Sequence, residues 1–153
     1  MVLKFWVVFS TLMCEQGDTD QAQHALNRAR SIKEKTFGAA HVTVKCTDVL
    51  LAKCALKLGQ YQYSKDSLKK ALQVQENCYG KNHVRASDAC LYLGIIECTS
   101  GQKETAQTLI DNAMNTKRAH FGDDHLEIKK NIAFIHSRCA DWLDTKHQCS
   151  TVK

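Results

Sequence analysis

One spacing, 42 residues, constrains this chain more than any other feature. Phe37-Gly38-x-x-His41, Tyr79-Gly80-x-x-His83 and Phe121-Gly122-x-x-His125 recur at that step. A second glycine series, Gly17, Gly59 and Gly101, keeps the same register. So do the small residues Ala22, Ser64 and Ala106, the small residues Ala29, Ala71 and Ala113, and between them the large apolar Leu26, Leu68 and Ile110. A period of this length signals an array in which each unit is one supersecondary motif.

Each unit reads as two helices. A first helix runs over about 42–58, with its counterpart at 84–100, and a glycine closes it by supplying a left-handed residue at the C-terminus. The second helix runs over about 60–78, with counterparts at 18–36 and 102–120. Its apolar and small residues fall at i, i+4 and i+7, one face of a 3.6-residue period. The small residues Ala22 and Ala29 allow two helices to approach closely, and Leu26 fills the space between them. After each corner, Asn82 and Asp124 are candidate N-caps, with Asp124 and Glu127 spaced as a capping box. One such hairpin cannot bury its apolar face alone, so the units are expected to stack.

Composition agrees with helices. The 153 residues include no proline, and 44% are apolar against 24% charged. Helix interiors exclude proline, whereas turns and sheet edges recruit it. The net charge of +5 is spread among interspersed acids, which excludes a nucleic-acid footprint and leaves a mild preference for acidic partners. Eight scattered cysteines form no C-x-x-C pair, and most lie on apolar helical faces, where reduced cysteine acts as a small hydrophobe. They point to a reducing, cytoplasmic compartment.

The repeat resembles the tetratricopeptide family. The likeness lies in Leu93-Gly94 of one first helix (Leu51-Ala52 one period earlier) and in the small-xxx-large-xx-Ala pattern of the second. The unit is longer than the family's usual length of about 34 residues. With the aromatic-Gly-x-x-His corner, it is similar to the variety in kinesin light chains and nephrocystin-type ciliary proteins. Val42, Val84 and Leu126 follow the corner histidines where those relatives usually carry proline. HEAT and armadillo arrays share the unit length but lack the paired small residues.

The resemblance implies an all-α fold, a right-handed superhelical α-solenoid of antiparallel helix hairpins. Repeats of about 1–38, 39–80 and 81–122 would be followed by a half repeat at 123–143 and a polar tail at 144–153. It also implies a non-catalytic scaffold or adaptor that holds a peptide in its concave groove, in intracellular transport or cilium-related assembly. By register the groove is lined by Lys4, Val7, Val8 and Thr11, then Cys46, Val49, Lys53 and Lys57, then Asp88, Leu91, Tyr92 and Ile95, and last Lys130, Phe134 and Ser137. An apolar floor edged by lysines suits an extended acidic-hydrophobic peptide.

No catalytic constellation, cofactor motif or glycine-rich phosphate loop accompanies the repeats. The corner histidines recur once per unit, too far apart to share a metal, and are expected to bond corner backbone at helix ends. His136, Cys139, His147 and Cys149 match no familiar zinc spacing. The N-terminal run MVLKFWVVFSTLMC begins as a secretory signal does, but lacks a small-x-small cleavage site and is too short to span a bilayer. Register places it as the first helix of repeat one. That helix is apolar all round, which wants burial on both sides. Phe5, Trp6 and Phe9 are therefore a candidate self-association surface, the alternative function being a structural segment that oligomerises or completes a longer solenoid. The sequence is accordingly expected to be a fragment or short form of a longer repeat protein.

Overall fold

The computed structural model of the chain describes residues 8–9, 12–13 and 15–139. Among them the regular structure is all-helical: α1 (Thr19–Phe37), α2 (Val42–Lys57), α3 (Tyr61–Tyr79), α4 (Val84–Thr99), α5 (Lys103–Phe121) and α6 (Leu126–Arg138). The chain divides into two compact units, residues 1–81 and 82–153. The division falls beside Gly80, where the 42-residue period also changes unit.

Two kinds of glycine punctuate the helices. Gly59 lies in the left-handed region at φ 79°. Around it the Gln60 N–H donates to the Ala55 carbonyl at 2.9 Å and the Gly59 N–H to the Leu56 carbonyl at 3.2 Å. This is the double bond of a Schellman closure, which satisfies two orphan carbonyls of α2. The same pair of bonds closes α4 around Gly101, from Gln102 to Glu97 and from Gly101 to Cys98. The Asp18 N–H likewise reaches the Met13 carbonyl at 3.0 Å across Gly17.

At the other corner, Gly80 has φ 94° and ψ 160°, and its N–H bonds the Glu76 carbonyl. That backbone region is essentially closed to residues with a side chain. It ends α3.

The corner histidine then opens the next helix. His41, His83 and His125 are the N-caps of α2, α4 and α6. Each uses Nδ1 to accept from the N–H two residues on: Thr43 at 3.2 Å, Arg85 at 3.1 Å and Glu127 at 3.1 Å. The ring thereby fills an orphan donor of the first turn, as a Ser or Asp oxygen does elsewhere. At His41 and His125 the aromatic residue four positions earlier holds the ring in place. Phe37 stacks on His41 with centroids 4.9 Å apart, and Phe121 on His125 at 4.7 Å. The caps are thus these histidines and not Asn82 or Asp124. Asn82 instead adopts a positive φ of 62°, a conformation asparagine tolerates better than most residues.

In unit 1, α2 packs antiparallel against both α1 and α3. Arg30 Nε donates to Asp48 Oδ1 at 2.6 Å, and Lys33 Nζ bonds Thr47 Oγ1 at 2.8 Å, tying α1 to α2. Ser64 Oγ donates to the Ala52 carbonyl at 2.8 Å, tying α3 to α2. Ala22, Leu26, Leu51 and Cys54 form a buried cluster. In unit 2, α4 and α5 lie antiparallel and unusually close. A Cβ on Gly94 would stand 2.7 Å from Ile110 Cγ1 and 3.2 Å from the Ala106 carbonyl oxygen. Helix α6 runs beside α4 in the same direction, Tyr92 meeting Phe134 edge-on at 6.0 Å and Cys139 Sγ reaching the Ile95 carbonyl.

The small-large-small columns are core in every copy. Ala22, Ser64 and Ala106 are buried, as are Leu26, Leu68 and Ile110, and Ala29, Ala71 and Ala113. Burying each large member contributes about 1.5–3 kcal/mol.

Candidate functional site

Of the sequence-assigned groove residues, Lys4, Val7 and Thr11 lie outside the described residues, as do Phe5 and Trp6. Val8 is exposed and Phe9 half-buried. In unit 1, Cys46, Lys53 and Lys57 are partly exposed along α2, and Leu50, which the sequence reading left out, completes the row. The four fall at i, i+4, i+7 and i+11, one stripe of a helix. Val49 does not join them: it is 4% exposed and points into the core.

In unit 2 the expected apolar floor is closed. Leu91, Tyr92 and Ile95 are 0%, 5% and 0% exposed. The packing of α6 along α4 accounts for part of this, since Phe134 covers the edge of Tyr92. Asp88 is engaged by Lys117 across α4 and α5. The groove set is corrected accordingly: Val49, Leu91, Tyr92 and Ile95 are core, whereas Asp88 keeps a partly exposed side chain in its ion pair. Lys130 and Ser137 are exposed on α6, and Phe134 is half-buried with Arg138 over its ring at 5.9 Å.

Charge is divided unevenly. Residues 1–81 contain twelve Lys and Arg against seven Asp and Glu, whereas residues 82–153 contain nine of each. The whole formal excess therefore resides in unit 1. Several of its cations are already committed. Arg30 bonds both Asp48 and Glu34, which raises its pKa further, the hydrogen bond to Asp48 outweighing desolvation. Lys45 pairs with Asp48 at 3.2 Å. Lys33 sits in a half-buried position that lowers its pKa through desolvation, offset in part by attraction to Cys46.

Two polar features were not anticipated from sequence. Lys117, 2% exposed, sends Nζ to Asp88 and, at 3.4 Å, to Glu127, so it joins α4, α5 and α6. Its partners stand 29 and 10 residues away, beyond any local pattern. The second is an open concavity of about 800 Å³ in unit 2, walled by the start of α4 (His83, Arg85) and by Asn112, Asn115, Thr116 and His120 of α5. The i, i+3, i+4 spacing of polar residues on α5 was its one sequence signal.

Among the described residues no group of three or more His, Cys, Asp or Glu could hold a metal ion. His136 is exposed and Cys139 buried, while His147 and Cys149 lie outside the described residues. Cys90 and Cys139 donate through Sγ to the Leu109 and Ile95 carbonyls. No described helix is long and apolar enough to cross a membrane.

Neither a protein-family model nor a curated protein sequence matches the chain.

Proposed function

We propose that this chain is a non-catalytic helical-repeat module of the tetratricopeptide kind, and that the α2 face of unit 1 takes an acidic, partly apolar peptide. The observation that carries this reading is the stripe Cys46, Leu50, Lys53 and Lys57. Its residues are half-buried, its floor is the aliphatic Leu50 backed by the unit's core, and its two charges are both positive. The stripe contains no acidic residue, and unit 1 carries the chain's entire positive excess. Lysine stems cover apolar surface while their ammonium groups steer acidic partners. The 42-residue recurrence of both glycine closures and of the histidine cap supports the repeat assignment. Action as an adaptor in transport or cilium-related assembly follows from the resemblance alone, and a cytoplasmic setting from the scattered cysteines.

The test is fluorescence anisotropy with labelled extended peptides that combine acidic residues and one large apolar anchor. Lys53→Glu with Lys57→Glu should weaken binding roughly tenfold or more, and added salt should weaken wild-type binding. Unchanged affinity in the double variant sinks the assignment.

One observation favours a second reading, self-association through the N-terminal segment. Val8 and Leu12, four residues apart, are 67% and 49% exposed. If light scattering finds an oligomer that Val8→Glu with Leu12→Glu converts to a folded monomer, this end is an interface.

A further inference from the structure

We infer that Cys46 is an oxidation site whose sulfenic acid is held by the side-chain amide of Gln75. The inference rests on unit 1 geometry and does not depend on the peptide reading, although Cys46 lies on the same stripe.

Gln75 on α3 is 2% exposed, and its amide is turned to Cys46 on α2. The amide Nε2 donates to Cys46 Sγ at 3.4 Å. The other end of the same amide, Oε1, is buried with no hydrogen-bond partner among the described residues. A buried acceptor without a donor costs about 1–3 kcal/mol and calls for a reason. Rotating the amide by half a turn only changes which end is left over, because one sulfur atom reaches a single end. A hydroxyl on that sulfur changes the count. The S–OH oxygen lies one bond beyond Sγ and carries the donor that Oε1 lacks, while Nε2 keeps its acceptor.

The surroundings suit the reaction. Cys46 is partly exposed, so a small peroxide can reach it. The Gln75 Nε2–H points at the sulfur, and it is the thiolate form of a cysteine that acts as the nucleophile. In the step, the Cys46 thiolate attacks the terminal oxygen of a hydroperoxide. The S–O bond forms as the O–O bond breaks, and sulfur gives up two electrons to the peroxide. The departing oxygen takes up the proton the thiol released, leaving Cys46 as S–OH and the peroxide as water or an alcohol.

The experiment uses the full chain, hydrogen peroxide below one equivalent, dimedone to trap sulfenic acid, and peptide mass spectrometry to read each cysteine. Cys78, which is exposed, is the internal control. Cys46 labelling should exceed that of Cys78 by about threefold or more. Gln75→Leu removes the amide without a cavity and should bring Cys46 down to the Cys78 level, with helical circular dichroism unchanged. Labelling ranked by exposure alone, or Cys46 labelling unaltered in a folded Gln75→Leu, overturns the inference.

Discussion

Replacing Gly94 by alanine sets two effects of opposite sign against each other. Gly94 lies inside α4, where alanine is the better helix former by about 0.8–1.0 kcal/mol. Propensity alone therefore makes the substitution stabilising. The packing of α5 argues the other way. The new Cβ would lie 2.7 Å from Ile110 Cγ1, 3.1 Å from Leu109 Cβ and 3.2 Å from the Ala106 carbonyl oxygen. Ile110 is fully buried, and the last two atoms move only with the α5 backbone. Forcing an extra carbon into such a contact costs about 1–3 kcal/mol. Because neither backbone-bound atom can yield by rotation alone, the steric cost wins, and Gly94→Ala should destabilise by up to about 2 kcal/mol. Urea unfolding followed by circular dichroism measures this. A double-mutant cycle with Ile110→Ala isolates the contact, since that change removes Cγ1 and should shrink the penalty at Gly94. A Gly94→Ala variant more stable than wild type, or a penalty identical in both backgrounds, would refute the reasoning. The same register in unit 1 holds Ala52, so Ala52→Gly should cost about 1 kcal/mol through propensity.

Three further outcomes follow from the corners and the ion clusters. His125→Ala removes the cap on the Glu127 N–H and the ring against Phe121, and should cost about 1 kcal/mol in urea unfolding, with His125→Asn restoring most of it. Lys117→Met should leave stability within about 1 kcal/mol of wild type, whereas Asp88→Ala, which leaves the buried ammonium short of a partner, should cost more; the reverse order would mean that the ion pair itself stabilises. Burial lowers the Lys33 pKa below 10.5, so in the alkaline range the unfolded chain holds this proton longer than the folded one. Stability from this group therefore rises with pH toward 10.5, and the melting temperature of wild type relative to Lys33→Met should climb over that window, a flat difference contradicting the assignment.

Helix existence and boundaries were legible because their punctuation is local. Gly59, Gly80 and the aromatic-Gly-x-x-His corner act through bonds within six residues, so a reading confined to sequence neighbours places α2 at Val42–Lys57 to within one residue. The caps were misplaced by one position because Asn and Asp are the generic N-cap residues. The histidine wins where an aromatic ring four residues earlier fixes the imidazole, as Phe37 and Phe121 do. The groove was less legible. Facing directions on α2 follow from helical period, which recovers Cys46, Lys53 and Lys57 as a stripe. Exposure of Tyr92 depends on what lies against α4, and Phe134 is 42 residues away. No local pattern carries that information.

The repeat also separates positions that must match from positions that need not. The columns at 22/64/106, 26/68/110 and 29/71/113 keep one size in each copy because they sit between helices at fixed distance. The column at 33/75/117 keeps only its place. Lys33 bonds Thr47, Gln75 meets Cys46, and Lys117 holds Asp88 and Glu127. The last two pairs span the same 29 residues, so one geometry is served by an amide and a thiol in unit 1 and by an ammonium and a carboxylate in unit 2. In unit 2 that geometry pairs a buried ammonium with two partly exposed carboxylates. In unit 1 it leaves an acceptor unmet beside a reachable sulfur, on the face that also presents Lys53 and Lys57. Functional difference between copies is therefore expected in this polar column, where a substitution alters chemistry without moving a helix.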